Sequence, residues 1–277
     1  NKNVRHACNR TIGNILTGTD ENTAKCVDLG ILEKYHTVLV NYCPLSMMSP
    51  HYQSEAPQAK SAINKERKEI CWSISNIAAG PHEHKLLIEK NGLFPILCTY
   101  LAYGTNDVQR EALWAISNAT CDSHKLIIDP LVTKYKLTEC MATYLRSRDS
   151  RHLKNTHLMV AIECIDNILE CGNAHLVEGD NNPYLVSFEE DGLLDWLEEM
   201  QANDNLDDQI FEKVAGIVEK YWNGNDGSND RLDSNDRLDY GLNNNQNTND
   251  INQEMQNSYY RNNNNNNNSN HNTPQSN

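Results

Sequence analysis

The sequence has no C-x-x-C pair, no glycine-rich phosphate loop, no G-x-S-x-G turn and no His-Glu-x-x-His. Those absences remove, in turn, the usual signatures of thiol redox chemistry, nucleotide binding, serine hydrolysis and zinc hydrolysis. No carboxylate pair stands apart from ordinary helix-surface charge. An enzyme is therefore not expected, and no cofactor or metal is expected either. No apolar run is long enough for a bilayer-crossing helix, and no segment has the build of a signal peptide. Strand-like alternation of apolar and polar residues is missing as well.

Positive charge is the other shortage. Lys and Arg number 24 against 38 Asp and Glu, a formal net charge of −14. Such a chain is a poor match for nucleic acid or an anionic membrane and a good one for a basic partner. Residues 223–277 hold seven acidic and three basic residues, so about −10 stays on residues 1–222. Apolar residues nearly vanish after position 222. The last stretch carries a tandem hexad, Ser228–Asp233 and Ser234–Asp239, and an asparagine run from Asn262 to Asn268. With no core to offset ordering entropy, 223–277 is expected to be disordered, beside a folded unit at 1–222.

Nine cysteines, Cys8, Cys26, Cys43, Cys71, Cys98, Cys121, Cys140, Cys164 and Cys171, lie scattered and mostly within apolar runs. There a thiol acts as a small hydrophobe, and the odd, unpatterned set suggests a reducing compartment. The chain starts at Asn1, without Met, inside what reads as a helix, so a fragment of a longer protein is expected.

The positive signal is an internal repeat. Arg10–Gly18, Cys71–Gly80 and Leu113–Thr120 align, followed by a weaker copy at Glu163–Leu169 and a degenerate one at Gln209–Val218. Asn14, Asn76, Asn118 and Asn167 mark the register, at spacings of 62, 42 and 49. The 42 fits helical repeats of about 40–47 residues. The 62 is explained by a Pro-, Ser- and Met-rich stretch, 43–60, that reads as an inserted loop. After Asn76 the chain breaks at Ala79-Gly80-Pro81, resumes as a helix over 85–90, stops at Asn91-Gly92 and starts again at Leu93. This grammar predicts an all-α solenoid in which each repeat buries its neighbour's apolar face.

Two copies carry Trp-x-x-x-Asn, Trp72 with Asn76 and Trp114 with Asn118. Four residues is about one helical turn, so ring and carboxamide share a face. Stacked repeats would line up a row of indoles beside a row of carboxamides. An Asn side chain offers a donor and an acceptor and can hold the backbone of an extended peptide. Slots between rings suit the stems and charges of Lys or Arg, at about 0.5–2 kcal/mol per cation–π contact. Glu111, one turn before Trp114, could pair with a cationic head. His82-Glu83-His84 lacks metal-ligand spacing and reads as a solvated turn. Asn9-Arg10-Thr11 and Asn118-Ala119-Thr120 match the glycosylation pattern but fall in helices.

These segments resemble the C-terminal armadillo repeats of the importin alpha (karyopherin alpha) family. The likeness is carried by Ile12–Glu21, Lys68–Ile77, Gln109–Asn118 and Ile217–Tyr221, and it runs from about Arg5 to Trp222. It implies a right-handed armadillo superhelical solenoid covering the end of the sixth repeat through the tenth. It implies a nuclear-import adaptor that holds basic nuclear localisation signals at the family's minor site. That site would use Arg10, Asn14, Thr17, Asp20 and Thr23, then Lys68, Trp72, Ser75 and Asn76, then Glu111, Trp114 and Asn118. The implied partners are Lys/Arg-rich cargo signals, importin beta and, through residues around 190–222, an export receptor, in a protein shuttling between cytoplasm and nucleus. The basic segment that engages importin beta and the earlier repeats of the major site are not found in this sequence. The 43–60 insert departs from the family pattern, and Glu163 stands where a third Trp would fall. An armadillo scaffold that grips partner helices remains the alternative, as does a truncated product that competes poorly for cargo.

Overall fold

In a computed structural model, residues 2–42, 57–122, 124–147, 154–176 and 180–223 are described. All secondary structure among them is helical. The helices are α1 (Lys2–Leu16), α2 (Asp20–Asp28), α3 (Ile31–Tyr42), α4 (Pro57–Ala78), α5 (His82–Lys90), α6 (Phe94–Tyr103) and α7 (Asn106–Thr120). They continue with α8 (Lys125–Asp129), α9 (Leu137–Leu145), α10 (Asn155–Ala174), α11 (Leu185–Glu190), α12 (Leu193–Gln201) and α13 (Asp208–Val218). Two of them run on into π-helical turns, α8 at Pro130–Lys134 and α13 at Glu219–Asn223.

The order is a lone helix followed by triplets: α2–α3–α4, α5–α6–α7, α8–α9–α10 and α11–α12–α13. Helices in equivalent places touch along the stack. The third helices form one row, α1 against α4, α4 against α7, α7 against α10 and α10 against α13. The second helices α6, α9 and α12 form another. This is the solenoid that the repeat register predicts, with the main contacts of each triplet made to its neighbours.

The first-to-second helix turn needs a left-handed residue, and Gly30, Gly92 and Gly192 supply it at φ +77°, +67° and +77°. In the remaining triplet Lys136 takes the same place at φ +54°, a conformation that favours glycine. Third-helix α7 is buried along its whole length from Val108 to Thr120 except at Arg110. Small residues on it, Ala112, Ala115, Ser117 and Ala119, let its neighbours come close. Ser73, Ser75 and Thr120 are buried and return their hydroxyls to carbonyls of Glu69, Trp72 and Ser117 in their own helices. Further along, Asn182 closes the end of α10. Its Nδ2 donates to the Leu169 carbonyl (2.7 Å) and to Asn173 Oδ1 (2.8 Å), and its Oδ1 accepts from the Tyr184 amide (3.1 Å). It lies flat on Gly172, where a Cβ would come within 2.0 Å of Oδ1.

Two sequence-based boundaries shift. Residues 57–60, assigned to the inserted loop, already form the first turn of α4, because Pro57 suits a helix start. Asn223, assigned to the tail, closes the last π-helical turn. Residues 43–56 and 224–277 lie outside the described residues. His82-Glu83-His84 is not a solvated turn: it opens α5, with His84 buried and His82 stacked on His124 at 3.8 Å between ring centroids.

One buried histidine sets a pH dependence. His157, near the start of α10, has its pKa pushed down from 6.5 to about 4, chiefly by burial and then by the charges of Arg110 and Lys154. The folded chain excludes a proton that the unfolded chain accepts, so this contribution is complete above about pH 6.5 and is lost as pH falls toward about 4. The expected loss between pH 7.5 and pH 5 is about 2 kcal/mol. Urea unfolding at both pH values checks it, and His157→Leu should flatten that part of the profile.

Candidate functional site

The ladder register places Arg10, Trp72, Trp114 and Glu163 at one position of the third helices, with Asn14, Asn76, Asn118 and Asn167 four residues on. The first step of the ladder is built between α1 and α4. The Trp72 ring lies against the backbone of Gly13, so closely that a Cβ there would meet Cζ3 at 2.4 Å and Cε3 at 2.7 Å. The Arg10 guanidinium sits over the Trp72 ring, 4.9 Å from its centroid. Its Nη1 donates to both carboxylate oxygens of Glu69 at 3.1 Å each. One turn earlier, Arg5 makes a two-pronged contact with Glu66 (2.7 and 3.0 Å), to which Asn9 also donates at 3.5 Å.

The second step joins α4 to α7. Trp114 is 1% exposed, and its Nε1 has no hydrogen-bond partner among the described residues. Asn118, also 1% exposed, donates from Nδ2 to the Ser75 carbonyl at 3.0 Å, while among the described residues its Oδ1 has no partner. Asn76 is half-buried, and its Nδ2 has no partner among the described residues either. The third step, α7 to α10, is held by Ser117 donating to the Val160 carbonyl (3.4 Å) and Asn167 to Thr120 Oγ1 (3.4 Å).

Indoles facing solvent across open slots were expected, and the rings do not sit that way. Trp72 is only 4% exposed, with Gly13 and Arg10 of α1 lying on it, and Trp114 is 1% exposed within the packed row of third helices. The twelve candidate residues therefore divide. Asn14, Thr17 and Asp20 are exposed, and Arg10, Lys68 and Asn76 are half-buried. Thr23, Trp72, Ser75, Glu111, Trp114 and Asn118 are buried. The structure brings Arg10 onto Trp72 and Asn118 onto Ser75, and Thr17 Oγ1 donates to the Asn14 carbonyl at 2.8 Å. Thr23 Oγ1 turns to the Leu16 carbonyl at 3.5 Å, within its own repeat junction. The potential glycosylation residues Asn9 and Asn118 are both buried.

Beyond Asn167 the ladder changes character. Glu163 replaces the tryptophan, and burial raises its carboxyl pKa. Lys213 and Lys220 of the last repeat pair with Asp166 and Glu170, and the Tyr221 hydroxyl donates to both of those carboxylates at 3.1 Å. Among the described residues no group of His, Cys, Asp or Glu is placed to hold a metal ion. Sequence reasoning passed over Gly13 and Glu69. Their signal was present: Gly13 is a glycine inside the helical part of its repeat copy, with no side chain to obstruct a ring, and Glu69 stands one turn before Trp72 as Glu111 does before Trp114.

Rows of three-helix units stacked through equivalent helices define an armadillo-repeat solenoid. A computationally designed armadillo repeat protein for modular peptide recognition has the same fold, with a TM-score of 0.50 and 18% identity, covering 78% of this chain and 92% of that one. An engineered protein of known crystal structure superposes with a TM-score of 0.56 and 19% identity, over 78% of this chain and 73% of that one. The repeats of this chain are similar to those of importin alpha subunits. Importin subunit alpha-1a of Oryza sativa subsp. japonica is 32% identical over 216 residues, 77% of this chain and 36% of that protein. Importin subunit alpha-5 of Arabidopsis thaliana is 28% identical over 155 residues, 56% of this chain and 28% of that protein. The chain thus spans about a third of the length of these relatives. No family model matches the sequence.

Proposed function

We propose that this chain is the signal-binding part of a nuclear-import adaptor, holding Lys/Arg-rich segments of cargo along its Trp and Asn ladder. The observation that carries the reading is the set of ladder atoms with unmet hydrogen bonds: Trp114 Nε1, Asn76 Nδ2 and Asn118 Oδ1. Buried polar atoms normally find partners, and an extended peptide backbone brings alternating donors and acceptors at a repeating interval. The kinship with importin alpha subunits and the acidity of residues 1–222 support a basic ligand. On this reading the chain corresponds to the end of the sixth repeat through the tenth, working as the minor site. Arg10, Asn14, Thr17, Asp20, Thr23, Lys68, Trp72, Ser75, Asn76, Glu111, Trp114 and Asn118 form its lining. Importin beta and an export receptor are its carriers, and shuttling between cytoplasm and nucleus follows. Because both rings are buried, a peptide reaches them only if side chains of the ladder move aside, and binding is coupled to that opening.

Asn76→Ala is the clean test. This side chain is half-buried and its Nδ2 has no hydrogen-bond partner among the described residues, so its loss should leave the melting temperature in place. Affinity for a labelled Lys/Arg-rich peptide, read by fluorescence anisotropy on the whole chain, should fall up to about tenfold. Binding should also weaken with added salt, as screening of partly exposed charges requires. A folded chain that shows no saturable binding at low salt would end the adaptor reading. The burial of Trp114 and Asn118 favours a second reading in that event, an armadillo scaffold whose ladder serves the contact between repeats.

A further inference from the structure

We infer that Arg10 is a built-in competitor for the peptide's cations: its guanidinium occupies the Glu69–Trp72 site from within and sets the affinity of the first ladder step. The inference rests on the adaptor reading above and concerns how that same site is regulated.

Three observations converge on it. In the repeat register Arg10 stands where Trp72 and Trp114 stand in the next two copies, so the first rung of the ladder is a cation rather than a ring. The guanidinium then makes both contacts that a bound Lys or Arg would seek there. It lies over the Trp72 ring at 4.9 Å, and it donates to both oxygens of the largely buried Glu69 carboxylate at 3.1 Å. The Gly13 backbone also packs against the ring. Trp72 is thus held by a backbone and a cation of its own chain, and the place beside Glu69 that a ligand cation would take is the one Arg10 fills. Arg10 itself is about one-third exposed, so it can swing into water without unfolding anything.

One place over the ring holds one cation, and a second cation brought to the same carboxylate would be repelled by the Arg10 guanidinium. A peptide cation must therefore displace Arg10 or bypass this step. If the internal contact is formed nine-tenths of the time, apparent affinity at this step falls on the order of tenfold. The consequence runs against the assignment of Arg10 as a peptide-holding residue, because removing it should strengthen binding rather than weaken it.

The experiment compares the whole chain with Arg10→Gln and Arg5→Gln by anisotropy titration of one labelled Lys/Arg-rich peptide, with circular dichroism and thermal melts on each protein. Arg5→Gln removes the same charge one turn away, where the partner is Glu66, and so measures the general effect of net charge. Arg10→Gln should bind at least about fivefold tighter than the unaltered chain, and Arg5→Gln should gain at most about twofold. Tight binding by Arg10→Gln where the unaltered chain binds only weakly also supports the inference. Equal or weaker binding by Arg10→Gln, with the unaltered chain binding, overturns it and leaves the adaptor reading intact. An equal gain in both variants overturns it too, since net charge alone would then explain the result. If folded proteins of all three kinds fail to bind, this inference and the adaptor reading fall together.

Discussion

Trp114→Ala is expected to cost the fold about 3–5 kcal/mol. The indole lies in the middle of the third-helix row, 1% exposed, on a helix with buried neighbours on nearly every side. Truncation removes the transfer energy of a large ring and leaves a cavity between α4, α7 and α10, which are already fixed by Asn118 to Ser75 and Ser117 to Val160. Those cross-helix bonds resist collapse into the space, so the cost belongs at the upper part of the range. Trp114→Phe separates volume from chemistry. Nε1 has no acceptor, so losing it forfeits no hydrogen bond, and the smaller ring should cost under about 2 kcal/mol. Denaturant midpoints for the pair check this. Near-equal losses would mean that the indole nitrogen, and not the packing, anchors the ring. The result also bears on function. A double alanine replacement of Trp72 and Trp114 would weaken peptide binding simply by unfolding the ladder, whereas Asn76→Ala leaves the row standing.

The repeat itself was readable because its signal is local and periodic. Trp-x-x-x-Asn recurs at a spacing of 42, and the Trp72 copy ends in Ala79-Gly80-Pro81, so the helices α4, α5, α6 and α7 follow from the text with small errors at their ends. The turn glycines are a second periodic signal. Gly30, Gly92 and Gly192 each precede a Leu or Ile at the start of a second helix or just before it, and the pattern is masked where Lys136 adopts the same left-handed backbone. What was not readable is how near the third helices come to one another. A spacing of four residues puts Trp and Asn on one face but is silent on whether that face looks at water or at the next helix. That depends on the summed size of Ser73, Ser75, Ala112, Ala115 and Ser117, which are small enough for contact. The ion pairs were also beyond reach. Arg10 and Glu69 are 59 residues apart, and no periodicity fixes which of several acidic residues a long side chain will meet.

Lys85 presents the other large effect, and it is asymmetric. The side chain is 0% exposed and its ammonium pairs with Asp122, which is 36% exposed. The pair fastens the first helix of its repeat, α5, to the residues just after the third, α7, across 37 positions of sequence. Asp122→Ala leaves a buried ammonium with no counter-charge, and should destabilise by about 3 kcal/mol. Lys85→Met leaves only a carboxylate that water already reaches and places an unbranched apolar chain in the same space. Its cost should stay under about 1.5 kcal/mol. The double replacement then decides the mechanism. If the penalty in Asp122→Ala comes from the stranded charge, adding Lys85→Met must recover most of it, and the double variant will be more stable than the single. Were Lys85→Met to cost as much as Asp122→Ala, the pair would be stabilising through its own attraction, and the double variant would recover nothing. Chemical unfolding of the four proteins distinguishes these cases, and moderate salt should change the outcome little, because a fully buried ammonium is screened far less than a surface one.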